Sequence, residues 1–310
     1  MALLPVVLLI GMGLVAARMG WVRSTAVKDL SQLVFYVLTP ALLFRTMSSV
    51  QVGTLDFAPV ALYFAVAGLI FAGTLLGFGF NTLAATRGLG HTFSNNVMIG
   101  IPLVGLAYGQ EGLVLLFTLI SVHALVLLGT GTVVFELAQA RHRQQGGQSQ
   151  SLARTLGLAI KNSIIHPVPL PIIAGLLFAQ TGWRIPPIID QPLQLLGQAL
   201  GPVALLLVGV TLAYSKLGSL IQPALRMSLV KTVLHPVLFM AIAWLCGLRG
   251  LALATMAVAA SLPIGANVFM FAQKYGVGQE ETTASIALST GMCLLTVPVV
   301  LLVLQKLGQG

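Results

Sequence analysis

Charge is what this chain has least of: Asp, Glu, Lys and Arg make up 7% of its 310 residues, and seven of those residues are acids. Soluble domains carry roughly a quarter charged residues. With 57% hydrophobic residues and a mean hydropathy of +0.98, the chain has too little charge to cover a water-facing surface. Apolar runs of about twenty residues recur from end to end, leaving no stretch for a soluble domain of even about 50 residues. Cysteine is almost missing. Cys246 and Cys293 lie in apolar runs with neither a CxxC spacing nor a histidine partner, which excludes a disulfide framework and a zinc site and makes both packing residues. No HExxH, buried Asp pair or nucleophile elbow is present, so no motif points to an intramembrane enzyme, and nothing calls for a cofactor or metal. The net charge of +9 could suggest nucleic acid, but the sixteen Lys and Arg are scattered over short loops and form no basic face.

What remains is an all-α polytopic membrane protein. The apolar spans fall at 2–19, 30–50, 58–80, 92–109, 112–138, 158–179, 188–213, 223–246, 250–274 and 281–304, ten crossings in all. The first span has no basic start, and Arg18 and Arg23 follow its apolar core, which favours a retained helix over a signal peptide. One hydrophilic linker, residues 141–154, falls at the midpoint and divides the chain into five-helix units at 1–140 and 155–310.

The two units resemble each other. A shift of 162 lays 5–21 on 167–183 with nine identities in seventeen positions, among them Pro5/Pro167, Gly13/Gly175, Gly20/Gly182 and Trp21/Trp183. The same shift lays Pro40 on Pro202, and a shift of 161 lays Pro102 on Pro263. A duplicated unit with an odd number of crossings enters the membrane from opposite sides, so the repeats are inverted. With both termini outside, twelve of the sixteen basic residues fall on the cytoplasmic side, as the positive-inside rule requires.

Two spans are interrupted. Pro102 withholds a donor from the carbonyl of Met98 and Pro263 from that of Ala259. Gly100 and Gly265 loosen the backbone beside them, and Asn95, Asn96, Ser261 and Asn267 add polar groups that lipid rejects. Irregular backbone at this depth survives when it is buried in protein or lines a wet cavity. Equivalent broken segments in two inverted halves point to a transporter site, where two half-helix N-termini crossing at the midplane attract an anion. Pro40, Pro202, Pro236 and Pro298 read instead as kinks in packed helices.

No carboxylate sits at mid-membrane: Asp29, Asp56, Glu111, Glu136, Asp190, Glu280 and Glu281 all lie near span ends, so coupling through a buried acid has no candidate. His123 lies halfway along the fifth span, as a pathway residue or as a structural histidine bonded to a neighbouring helix. His235 reads as structural, His166 as interfacial, and His91 and His142 as loop residues. Lys231, about two turns into the eighth span, reads as a snorkelling side chain.

The segments "NNVMIGIPLVGLAYG" (95–109), "LTPALLF" (38–44), "SLPIGANVFMFAQKYG" (261–276) and "STGMCLLTVPVVLLVL" (289–304) resemble the auxin efflux carrier family, in its compact bacterial form, across essentially all ten spans. The resemblance implies crossed discontinuous fourth and ninth helices and a mobile transport domain of helices 3–5 and 8–10. It also implies a scaffold of helices 1, 2, 6 and 7 that mediates homodimer contact, and elevator-type movement. His123 falls where plant members have a polar residue lining the site. Unlike plant members, this chain has a short central linker, Ile264 after the ninth-helix proline, and no charge between Phe57 and Phe64.

The expected function is a secondary transporter for a small organic anion such as malate, malonate or an auxin-like acid. The expected pocket comprises Asn95, Asn96, Gly100, Ile101, Pro102, His123, Pro263, Ile264, Gly265 and Asn267, with no catalytic residue, cofactor or metal. The setting is an integral membrane protein of the bacterial inner membrane, and the expected partners are the anion, the lipid bilayer and a second copy, with no nucleic acid. The alternatives are a sodium-coupled symporter of the bile-acid type and a ligand-binding membrane sensor.

Overall fold

The structure is a computed structural model that describes residues 3–50, 56–143, 169–214 and 220–309. Most of the linker, the start of the sixth span and His166 lie outside the described residues. Those described are mostly helical: α1 Leu3–Arg18, α2 Ala26–Leu33, α3 Thr39–Met47, α4 Ala58–Phe78, α5 Thr82–Thr92, α6 Ile101–Arg143, α7 Pro169–Gln180, α8 Pro187–Tyr214, α9 Ile221–Leu229, α10 His235–Leu245, α11 Gly250–Ser261, α12 Asn267–Tyr275 and α13 Gln279–Lys306. Among them, six helical stretches are long and apolar enough to cross a membrane: Ala26–Met47, Ala58–Phe78, Asn96–Gln139, Pro187–Tyr214, Ile221–Leu245 and Gln279–Lys306. This is an integral membrane protein, with large apolar side chains such as Leu76, Leu245 and Leu295 exposed on its exterior.

Three prolines are absorbed without breaking a helix. π-helical turns at Val34–Leu38, Asn96–Gly100 and Val230–Leu234 each run straight into an α-helix whose second residue is proline: Pro40, Pro102 and Pro236. A proline at the start of a helix removes a donor that has little to bond there, and the wider turn before it shifts the hydrogen bonds to a spacing of five. Thus the Ile101 amide reaches the Asn96 carbonyl and the His235 amide that of Val230. Long helix α6 changes direction at Gly109, whose φ of 60° and ψ of −150° lie outside the helical region. That corner falls between the fourth and fifth spans of the sequence.

Small residues let the helices meet backbone to backbone. α1 packs along α8, where a Cβ on Gly13 would overlap the Leu206 carbonyl and one on Gly209 the Ile10 carbonyl. α7 packs on α3, where a Cβ on Gly175 would lie 2.7 Å from the Phe44 carbonyl oxygen. Gly13 and Gly175 are 162 residues apart, and so are Phe44 and Leu206. Both Gly-Trp corners also share a conformation: Gly20 and Gly182 take φ of 76° and 71°, and Trp21 and Trp183 stand exposed after them. Indoles at such helix ends suit the membrane–water boundary.

α5 starts ten residues ahead of the expected fourth span. Thr82–Thr92 is weakly apolar, but Asn81 caps it, its side-chain oxygen accepting from the Ala84 amide at 2.8 Å. This helix carries His91, expected in a loop; it is buried, and its Nδ1 lies 2.7 Å from the Thr74 hydroxyl. Arg87 of α5 grips Glu281 in the first turn of α13 through two bonds of 2.8 and 3.0 Å, with the Glu281 side chain 8% exposed and the Phe78 ring under the guanidinium. Arg87→Ala strands that carboxylate, so it is expected to cost about 3–5 kcal/mol, whereas the double variant Arg87→Met/Glu281→Leu recovers most of the loss. Thermal unfolding of both variants in detergent checks this.

Candidate substrate site at the crossing

The two interrupted helices meet. α5 ends at Thr92 and α11 at Ser261, and the extended residues that follow pair antiparallel, Ser94 opposite Ile264. The Asn95 amide donates to the Pro263 carbonyl at 2.9 Å, and the Gly265 amide donates to the Phe93 carbonyl at 3.0 Å. This short bridge answers what hydrocarbon would otherwise penalise, because each segment supplies partners for the backbone groups the other leaves bare.

The second break lies at Pro263, as the sequence indicates. The first lies at Phe93–Asn95, ahead of the expected Pro102, which instead sits in the first turn of α6. The residues that face each other in the bridge, Ser94 and Ile264, are 170 positions apart, whereas Pro102 and Pro263 are 161 apart.

The half-helix amides are largely engaged. The Asn95 side-chain oxygen accepts from the Met98 amide at 3.3 Å, and its carbonyl accepts from the amides of Ile99 and Gly100 at 3.4 and 3.2 Å. The Ile264 amide donates to the Ser289 hydroxyl at 3.1 Å. Gly100 and Gly265 are packing sites: a Cβ on the first would lie 2.8 Å from Leu262 Cδ1, and on the second 2.8 Å from Phe93 Cδ1. Ile101, Pro102, Pro263 and Ile264 are all buried beside them.

Unspent hydrogen-bonding capacity is carried by side chains. Asn96 is 3% exposed, and neither its Nδ2 nor its Oδ1 has a protein partner. His123 is 4% exposed with Nε2 unpartnered, its ring edge-on to Phe93 with centroids 4.5 Å apart. His235 is fully buried with both ring nitrogens unpartnered, 5.3 Å from the Tyr63 ring, which also faces His123 at 5.9 Å. Buried polar atoms in this condition call for a ligand or water. Asn267, half-buried, opens α12 on the far side of the crossing.

Three participants escaped the sequence reading. The Tyr63 hydroxyl bonds the Ser94 hydroxyl at 2.8 Å, holding the first break to α4. Ser289 holds the second break to α13. Lys231, expected to snorkel, is fully buried, and its ammonium donates to the carbonyls of Ala260 and Leu262 at 2.6 and 2.7 Å. The one sequence signal for it was an ionisable residue two turns inside an apolar span. A separate cleft of about 600 Å³ lies near the far end of α3, lined by Arg45, Ser48, Ser49, Gln110, Arg184 and Asp190.

The family of membrane transport proteins matches residues 1–301. The chain belongs to that family. A protein of Rhizobium meliloti (strain 1021) named "Putative malonate transporter" is 31% identical over 302 residues, covering 95% of this chain and 92% of that relative. Auxin efflux carrier component 8 of Arabidopsis thaliana is 23% identical over 233 residues, 62% of this chain and 63% of the relative. The family match runs over residues 1–301, the likeness to an auxin efflux carrier over 62% of the chain, and this family member is a membrane transporter for a small molecule.

Proposed function

We propose that this family member is a secondary carrier for a small organic anion, with a dicarboxylate of malonate size as the first candidate, bound beside the crossing and moved by an elevator-like displacement. The carrying observation is that Asn96, directly after the bridge, and His123, whose ring lies against Phe93 of the bridge, are both buried with unpartnered polar atoms, while the bridge has already satisfied its own backbone. Neutral amide and imidazole donors hold a carboxylate in the field of two half-helix N-termini without the tight grip of a fixed guanidinium. The name of the Rhizobium meliloti relative supports the dicarboxylate. Pro102, Ile101, Gly100, Pro263, Ile264 and Gly265 shape the floor, while Asn95 and Asn267 stand at the mouths of the two second half-helices.

Ten crossings in two inverted five-helix repeats, 1–140 and 155–310, suit this reading. The reciprocal packing of Gly13 on Leu206 and Gly175 on Phe44, at one common offset, and the matched Gly-Trp corners support them. α1, α3, α7 and α8 pack on one another and form the scaffold, with the helices of the crossing as the moving part; a second copy docks on that scaffold. Both termini face outward in a bacterial inner membrane, which puts the Arg45 cleft at the outer mouth, where its cations collect anions.

Counterflow of labelled malonate in proteoliposomes, backed by thermal shifts across mono- and dicarboxylates, tests the assignment. At least one small carboxylate is expected to stabilise the protein and to exchange, and Asn95→Ala to abolish exchange with membrane insertion intact. No stabilisation and no exchange by any carboxylate would refute an organic-anion carrier.

A further inference from the structure

The second break is held differently from the first. At the first, two hydroxyls, Tyr63 and Ser94, meet beside the extended residues. At the second, the corresponding flank of the neighbouring helix supplies the Lys231 ammonium. The last carbonyls of a helix have no intrahelical donors and carry the negative end of its dipole. Where a broken membrane helix ends in this way, its unwound carbonyls are suited to coordinate a coupling cation such as sodium.

Here Lys231 occupies that place. Its Nζ reaches Ala260 O at 2.6 Å and Leu262 O at 2.7 Å, on either side of the end of α11 at Ser261, whose own hydroxyl bonds back to Val258 O. No carboxylate among the described residues pairs with it; their ion pairs are Arg45–Asp190 and Arg87–Glu281. The other titratable side chains within its electrostatic reach are His123, His235 and Cys293. A fully buried ammonium that has no acid and yet bonds two carbonyls at a helix C-terminus is placed as a coordinated cation would be.

We infer that Lys231 is a tethered cation, a positioning residue whose ammonium stands where a sodium-coupled carrier would bind its ion, so that the second break is held without an alkali cation. The inference deepens the carrier reading but is tested without it. Removing the amine leaves two inward carbonyls and a cavity about the length of the lost side chain, a site an alkali cation can enter.

The test is thermal unfolding of the full chain in detergent, titrated with sodium, lithium, potassium or choline chloride at constant ionic strength. Wild-type protein is expected to show no saturable rise in Tm specific to an alkali cation. Lys231→Ala is expected to unfold roughly 5 °C or more below wild type in choline and to regain part of that loss, saturably, in at least one alkali salt. Should Lys231→Ala fail to fold, Lys231→Ser, which removes the amine and adds a hydroxyl oxygen that can itself ligate a cation, takes its place with the same expected response. A saturable sodium effect on the wild type would overturn the inference. So would a variant that loses stability with no cation response, since that marks a mere structural anchor, or one with unchanged Tm. Malonate counterflow in sodium or choline separates the two readings: exchange that needs sodium sinks the tethered cation, whereas absence of exchange alongside the expected thermal pattern sinks only the organic-anion assignment.

Discussion

Asn96→Leu is expected to lower substrate exchange by at least about a hundredfold while leaving Tm unchanged or slightly raised. Leucine shares the branched shape of asparagine, with bulkier methyl ends, and offers no donor or acceptor. Asn96 is 3% exposed with both side-chain polar atoms unpartnered, so the empty protein carries their desolvation cost, about 1–3 kcal/mol for such a group. Substitution removes that cost. It also removes the amide that the carrier reading aims at a carboxylate, and a site built to hydrogen-bond its ligand discriminates steeply once the bond is gone. Counterflow and thermal unfolding on the same preparation give the split. Exchange within threefold of wild type would remove Asn96 from the pocket. A large fall in both quantities would make its amide structural, bonded to water that belongs to the fold.

Much of this architecture is legible in the chain because a membrane leaves few choices. Paucity of charge and repeated apolar runs mark a helical membrane protein, of whose ten expected spans six are found as long apolar helical stretches among the described residues, and the paired Gly-Trp corners mark two helix ends where only glycine readily takes a positive φ. The second break coincides with Pro263. The first did not yield to the same rule, because Pro102 is accommodated in the opening turn of α6 after a π-helical turn, and the chain leaves the helix earlier, at Phe93. Asn95 and Asn96 mark the neighbourhood but not the residue at which the helix ends. It is fixed by the Pro263 carbonyl and the Gly265 amide, which lie some 170 residues away and provide the partners an interrupted segment needs. Lys231 and His91 were misread for the same reason: a span pattern shows that a polar side chain is costly, and only the folded neighbourhood shows that Ala260, Leu262 and Thr74 receive it. Of the expected site residues, Asn96 and His123 carry unspent bonding capacity, whereas the glycines are there for closeness.

Gly265→Val is expected to be the most damaging single change at the crossing, costing about 2–3 kcal/mol of stability and nearly all transport. A Cβ there would lie 2.8 and 3.0 Å from two atoms of the Phe93 ring and 3.1 Å from the Ser94 carbonyl oxygen. The ring cannot swing aside cheaply, since Phe93 is 5% exposed and its face is filled by His123. Relief must come from parting the two extended segments, which stretches the bond from the Gly265 amide to the Phe93 carbonyl and leaves buried backbone groups bare. Gly100→Ala is a milder case, because the atom it meets, Leu262 Cδ1 at 2.8 Å, is the far end of a flexible side chain. Gly291→Ala, in α13 with nothing within 4 Å of a Cβ, serves as control and is expected to raise Tm slightly through helix propensity. Unfolding and exchange measured on the three variants should fall in that order. If Gly265→Val matches the control, the two breaks are not locked together by close contact, and the crossing is a looser joint than its hydrogen bonds imply.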